Sequence, residues 1–176
     1  RATRARVDLD RISANLKAIQ SFISTEAPRG AGSGRPADSR RGGRRLVFPV
    51  VKANAYGHGA PVVARRLQEE GADALCVALL EEGIELRRAG ITLPILVVGA
   101  LAPEQFGPAI DEDLVPAVYN RESLDAVQAA GARRGRPAPF HLKLDTSMTR
   151  LGIPTSDLPE FLNLIKAADA VRLEGV

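Results

Sequence analysis

With 176 residues, 45% of them apolar and only 4% aromatic, the chain can build one core, made of Val, Leu, Ile and Ala rather than of rings. No apolar run approaches the roughly 20 residues that span a bilayer, and no secretory apolar stretch follows the basic start Arg1-Ala2-Thr3-Arg4-Ala5-Arg6, so a cytoplasmic protein is expected. The single cysteine, Cys76, excludes an internal disulfide, and the net charge of +3 is local: residues 26–45 carry six Arg against Glu26 and Asp38, which leaves about −1 for everything else and removes the case for a nucleic-acid partner.

In chain order, Arg6–Leu9 reads as an isolated strand, and Asp10 as the cap of a helix whose apolar stripe is Ile12, Leu16, Ile19 and Ile23. Residues 26–45 are rich in Gly, Arg and Pro and read as a flexible insertion, the least ordered part of the chain. From residue 46 a strand-then-helix rhythm sets in. Six short apolar runs read as strands: Leu46–Val51, Ala74–Ala78, Pro94–Val98, Leu114–Val118, Phe140–Leu144 and Val171–Val176. Continuous apolar character suits strands buried on both faces of a parallel sheet. The helical patterns between them start at Pro61 and stop at Gly71, run from Glu81 to Ala89 before Gly90, and run from Pro103 to Ile110. Another runs from Arg121 to Ala130, with Asn120 as N-cap and Gly131 as stop. A last helix opens at Ser156 or Asp157 and continues through Leu158, Phe161, Leu162 and Ile165.

Alternating β and α imply a parallel α/β fold, either doubly wound or a barrel. A closed (β/α)₈ barrel needs eight strands and typically about 250 residues. Six strand–helix steps fall short of that, so an incomplete piece of a larger domain is expected.

Two stretches carry chemistry. Lys52 ends an apolar strand, at the carboxyl end where α/β sites form. Burial there disfavours the ammonium and makes the amine nucleophilic, able to form a Schiff base with an aldehyde. The bland alternative is a lysine that extends into solvent. His58 reads as a turn residue, since one further histidine is present and the spacing fits no metal motif. In the second stretch, Phe140, Leu142 and Leu144 point one way and His141, Lys143 and Asp145 the other. Charged groups on the interior face of a barrel are costly unless paired, which suggests a site. Cys76 sits mid-strand and reads as inert core.

Val50-Val51-Lys52-Ala53-Asn54-Ala55-Tyr56-Gly57-His58-Gly59 resembles the lysine motif of alanine racemases, enzymes that depend on pyridoxal 5′-phosphate (PLP). Lys143-Leu144-Asp145-Thr146-Ser147-Met148-Thr149-Arg150-Leu151-Gly152 resembles a second motif of that family, usually written K-x-D-T-G-M-x-R-L-G. Ser147 departs from it where glycine is usual, and Thr149 is not the commonest choice at its position. Arg6-Val7-Asp8-Leu9 followed by Asn15-Leu16 resembles the family's opening, and Val97-Val98-Gly99 its third-strand end. The resemblance covers nearly the whole chain except residues 24–45. The ornithine decarboxylase group shares only the lysine and one or two neighbours.

The resemblance implies a (β/α)₈ TIM-type barrel, here an N-terminal portion of about six β/α units, with a C-terminal domain lying outside the chain. It implies conversion of L-alanine to D-alanine for peptidoglycan, in a homodimer. Lys52 would hold PLP and act as one of two bases, and Tyr56 would help hold the phosphate. Val98 would pack near the cofactor. Lys143, often carbamylated in the family, would orient Arg150 beside the cofactor ring and the substrate carboxylate. The second base is a tyrosine of the partner subunit's C-terminal domain, so the 176 residues alone are expected to be inactive. A PLP-carrying barrel without catalysis and a PLP-barrel decarboxylase are the alternatives.

Overall fold

The computed structural model describes residues 3–25 and 45–176. Within them, α1 (Leu9–Thr25) leads into six extended segments laid side by side. Four strands follow one another in space as in sequence: β1 (Leu75–Val77), β2 (Ile95–Val97), β3 (Val115–Val118) and β4 (Ala138–Leu142). After β4 comes β7 (Val171–Gly175), and every pairing is parallel. Residues 46–51 run beside β1, bridged at Val50 and Cys76. A doubly wound sheet reverses its strand order at a switch point, whereas a barrel does not. The unbroken order is that of an arc cut from an α/β barrel, and the choice left open by periodicity is thereby made.

The helices that return each strand are α3 (Ala60–Glu69), α4 (Leu80–Arg88), α5 (Pro103–Asp111), α6 (Arg121–Arg134) and α7 (Leu158–Ala167). They cover one face of the arc. Leu75, Val77, Ile95, Val97, Val118, Phe140 and Leu142 point into that layer and are buried. Leu86, Phe106, Ile110 and Val127 meet them from the helices. Removing one of the buried rings, Phe106 or Phe140, would cost about 3–5 kcal/mol.

Several expectations need correction. Arg6–Leu9 forms no strand: residues 3–8 lie outside any element, and α1 begins at Leu9. Its cap is Asp8, whose Oδ1 accepts the Asp10 and Arg11 amides at 3.1 and 3.3 Å; Asp10 is already helical. Residues 46–51 reach only a single bridge. Val51 N–H donates to Cys76 O and Cys76 N–H to Pro49 O, both at 2.9 Å, but Pro49 has no N–H to extend the ladder. Strand β4 starts at Ala138 and stops at Leu142. Leu144–Asp145 (β5) instead pairs with Ile153–Pro154 (β6) as a separate two-stranded ladder. Helix α6 passes through Gly131 and ends at Gly135. Gly131 is there for proximity: a Cβ on it would lie 2.0 Å from Ala170 O. The segment expected to be flexible, 26–45, falls outside the described residues except Arg45, whose Nη1 donates to Ile23 O.

Other readings hold. Asn120 caps α6, its Oδ1 accepting Ser123 N–H at 2.8 Å while Ser123 Oγ accepts Asn120 N–H at 3.1 Å. In β4 the residues alternate as expected, with Ala138, Phe140 and Leu142 buried under helices and His141 half-buried on the concave side. Among the described residues, no helix is long and apolar enough to cross a membrane.

Candidate functional site

Because the strands are parallel, their carboxyl ends share one rim. Lys52 follows residues 46–51 at that rim, Val98 follows β2, and Lys143 follows β4. The chain immediately after Lys52 is unusual. The single turn α2 (Lys52–Tyr56) is wound left-handed: Ala53, Asn54, Ala55 and Tyr56 have φ of 51, 54, 53 and 53°. For L-residues this conformation costs roughly 1–2 kcal/mol each, so something must hold it.

Several contacts do so. Ala55 N–H donates to Val51 O at 2.9 Å, and Gly57 N–H to Ala53 O at 3.0 Å. Asn54 Oδ1 accepts Ala60 N–H at 2.7 Å, tying the turn to the start of α3. Glu82, on α4, accepts Ala53 N–H at 2.6 Å. A ring nitrogen of His58 lies 2.8 Å from Ala55 O, so His58 is part of the turn, as its sequence context suggests.

Lys52 is half-buried rather than enclosed. Its Nζ lies 6.0 Å from the centroid of the Tyr56 ring, itself largely exposed. Val98 is half-buried and bonded to β1, its N–H donating to Val77 O at 2.9 Å. Next to it, a Cβ on Gly99 would stand 2.1 Å from Ala78 O, so the ends of β1 and β2 touch backbone to backbone.

Lys143 joins the sheet through its N–H to Val118 O at 2.8 Å, and its exposed Nζ reaches Leu144 O at 3.4 Å. Arg150 stands exposed in the bend between β5 and β6. Asp145 shapes this bend by accepting Thr149 N–H at 2.9 Å and Ser147 N–H at 3.1 Å. Those backbone hydrogen bonds, Thr149's first, hold its carboxyl below the usual range. Ser147 adopts φ 139° and Thr149 φ 52°. Lys143 and Arg150 thus share a loop without touching, while Lys52 and Tyr56 do meet.

Sequence reasoning missed two groups at this rim. Tyr119, after β3, donates its hydroxyl to Leu101 O at 2.6 Å, and burial raises the phenol above its ordinary value. Glu82 is the other; its position three residues into α4 signals a cap, but not the contact 29 residues back to Ala53. On the concave face lower down, burial depresses the His141 imidazole, with Glu174 opposing. Among the described residues no cluster of His, Cys, Asp and Glu could hold a metal.

The rim therefore offers an amine, a phenol, a second lysine and a guanidinium. Among the described residues, neither Lys52, Lys143 nor Arg150 forms an ion pair. Lys143 has the Asp145 carboxylate as an electrostatic partner, but three cations at one rim still suit an anionic ligand, and an aldehyde that also carries a phosphate and a phenolate oxygen fits this set.

The family model described as "Alanine racemase, N-terminal domain" matches residues 37–176. A curated alanine racemase from Sorangium cellulosum is 40% identical over all of this chain and 43% of its own length. The crystal structure of alanine racemase from D-cycloserine-producing Streptomyces lavendulae superposes with a TM-score of 0.82 at 34% identity, covering 99% of this chain and 43% of that one. A histidine racemase from Leuconostoc mesenteroides superposes with a TM-score of 0.75 at 26% identity, covering 93% of this chain and 39% of that one. The chain spans about two fifths of the length of these relatives.

Proposed function

Since the chain belongs to the alanine racemase family through its N-terminal domain, we propose that within the complete protein it interconverts L- and D-alanine, with PLP held at Lys52. PLP is the cofactor of this family. The observation that carries the reading is an amine without an ion pair among the described residues, closing the first extended segment at the carboxyl rim of a parallel arc and presented by a strained, tightly tied turn.

When bound, PLP supplies an electron sink that makes a proton at the substrate Cα removable. The residues of this chain do the rest. Lys52 would hold the cofactor, and its free Nζ would take or return the substrate proton on one face. Tyr56 would donate its phenol toward the phosphate, and Val98 would pack against the cofactor. Arg150, with a planar donor fork, orients the substrate carboxylate, and Lys143 steadies that loop, carbamylated or not. The opposite face needs a second base. Family membership supports a partner tyrosine, and with it a homodimer working in the cytoplasm and feeding D-alanine to peptidoglycan.

The histidine racemase neighbour makes substrate choice the point to test. The complete protein, loaded with PLP, is given L-alanine and L-histidine separately, and the enantiomers are resolved by chiral chromatography. D-alanine is expected, together with loss of both turnover and the borohydride-reducible cofactor linkage in Lys52→Ala. Faster turnover of histidine would replace the substrate. Release of CO₂ would make the protein a decarboxylase. A reducible linkage surviving in Lys52→Ala would move the anchor to another lysine.

A further inference from the structure

We propose that Glu82 is a positioning residue for Lys52: its carboxylate latches the left-handed turn and so sets the direction in which the lysine leaves the backbone. The inference rests on the reading of Lys52 as the cofactor lysine. One oxygen of Glu82 accepts Ala53 N–H at 2.6 Å. The other accepts Ala78 N–H at 2.8 Å and Leu79 N–H at 3.1 Å. A single side chain thus joins three structures. It caps α4, closes the carboxyl end of β1, and grips the first amide of the left-handed run.

That amide has no other acceptor in the turn. The backbone bonds of the turn begin at Ala55 N–H, and Ala53 contributes only its carbonyl to them. The peptide joining Lys52 to Ala53 is the unit whose tilt decides where the Lys52 Cβ points. Four consecutive L-residues at φ above +50° have a downhill path back to the right-handed region. Holding the leading peptide by a charge-assisted bond closes that path at its start.

The chemistry demands a carboxylate. It accepts on both oxygens, whereas an amide of equal size accepts on one and turns an NH₂ toward donors on the other side. Glu82→Gln therefore keeps the length and helix preference but breaks either the Ala53 bond or the pair at Ala78 and Leu79. Gln105 provides the control. Its Oε1 caps α5 by accepting Ala102 N–H at 2.9 Å and has no bond to the Lys52 turn.

The test uses the complete protein stripped of PLP. Backbone hydrogen exchange is followed over residues 53–57, and PLP is added and trapped with borohydride at timed intervals, with the modified peptide mapped by mass. In Glu82→Gln both the protection of 53–57 and the rate of trapping at Lys52 are expected to fall roughly tenfold or more, the scale of one charge-assisted hydrogen bond. Gln105→Ala should lower the melting temperature comparably and leave both readouts at the wild-type level. Wild-type exchange and trapping in Glu82→Gln would overturn the latch, as would an equal loss in Gln105→Ala. Were the wild-type protein to take no PLP at Lys52, the functional reading would fall, and exchange at 53–57 would still decide the latch.

Discussion

At the scale of single residues, the loop carrying Arg150 holds a measurable strain. Ser147 sits at φ 139°, a region that glycine occupies freely and L-residues avoid. The related motif has glycine there, so the departure noted in the sequence is also a departure in energy. Ser147→Gly should stabilise the protein by about 1 kcal/mol, the gain from relieving a sparsely populated conformation less glycine's greater unfolded-state freedom. The check is chemical denaturation: the midpoint should rise with an unchanged slope. A lower midpoint would mean that the Ser147 hydroxyl contributes more than its backbone costs.

Individual residues also show how far the sequence could be read. Lys52 and Val98 are expected at strand ends and lie there, because an apolar run followed by a turn signal fixes both the strand and its carboxyl end, whereas Lys143, expected inside a strand, follows the end of β4. The left-handed turn was invisible, since Ala53-Asn54-Ala55-Tyr56 holds no glycine to announce a positive φ. Glu82 does not stand out in the sequence because its decisive partner is fixed only by the fold. The exposure of Arg150 and its separation from Lys143 also depend on how β5 and β6 pair, a short ladder with little hydrophobic signal.

Among the elements, α4 is fastened at both ends by side chains. At its amino end Glu82 gathers three amides. At its carboxyl end the Arg87 guanidinium donates to four backbone carbonyls: Leu93 at 2.7 Å, Ile91 at 2.8 Å, Asp113 at 2.9 Å and Glu112 at 3.2 Å. These belong to the loops before β2 and β3, so one side chain pins a helix to two strand entries. Lysine cannot reproduce the fork. Arg87→Lys should cost about 2–3 kcal/mol through carbonyls left without donors, read as a lower thermal midpoint. A change below about 0.5 kcal/mol, the level of an ordinary surface substitution, would show that water replaces the fork. Helix existence was legible from apolar spacing and caps such as Asn120. Helix ends were less so: Gly131 reads as a stop, yet the helix passes through it to meet Ala170.

For the molecule as a whole, strand order carries the most information. Six parallel segments in sequential order make an arc, with residues 46–51 on one edge and β7 on the other. Among the described residues no further strand pairs with either edge, and β7 is largely exposed. The 176 residues expressed by themselves should therefore neither racemise alanine nor stay monomeric at high concentration. Chiral chromatography and light scattering would show this, and turnover near that of the complete protein would demand a second base from within the arc. The rhythm of β and α was readable because buried parallel strands need continuous apolar runs. Barrel and doubly wound sheet were not separable that way, because both use the same runs and differ only in which strand lies beside which.

The left-handed turn has one further consequence, and it concerns chirality. The conformation that L-residues adopt there reluctantly is the one their mirror images prefer. Ala53 is exposed, so inverting its α-carbon disturbs no packed methyl group; Ala55 is buried and would lose its contacts. A semisynthetic protein with D-alanine at position 53 should be more stable than the natural one by about 1–2 kcal/mol, whereas D-alanine at position 121 or any other right-handed helical site should weaken it. A protein read as making D-alanine would then carry, next to its own reactive lysine, a place where its product is the better building block.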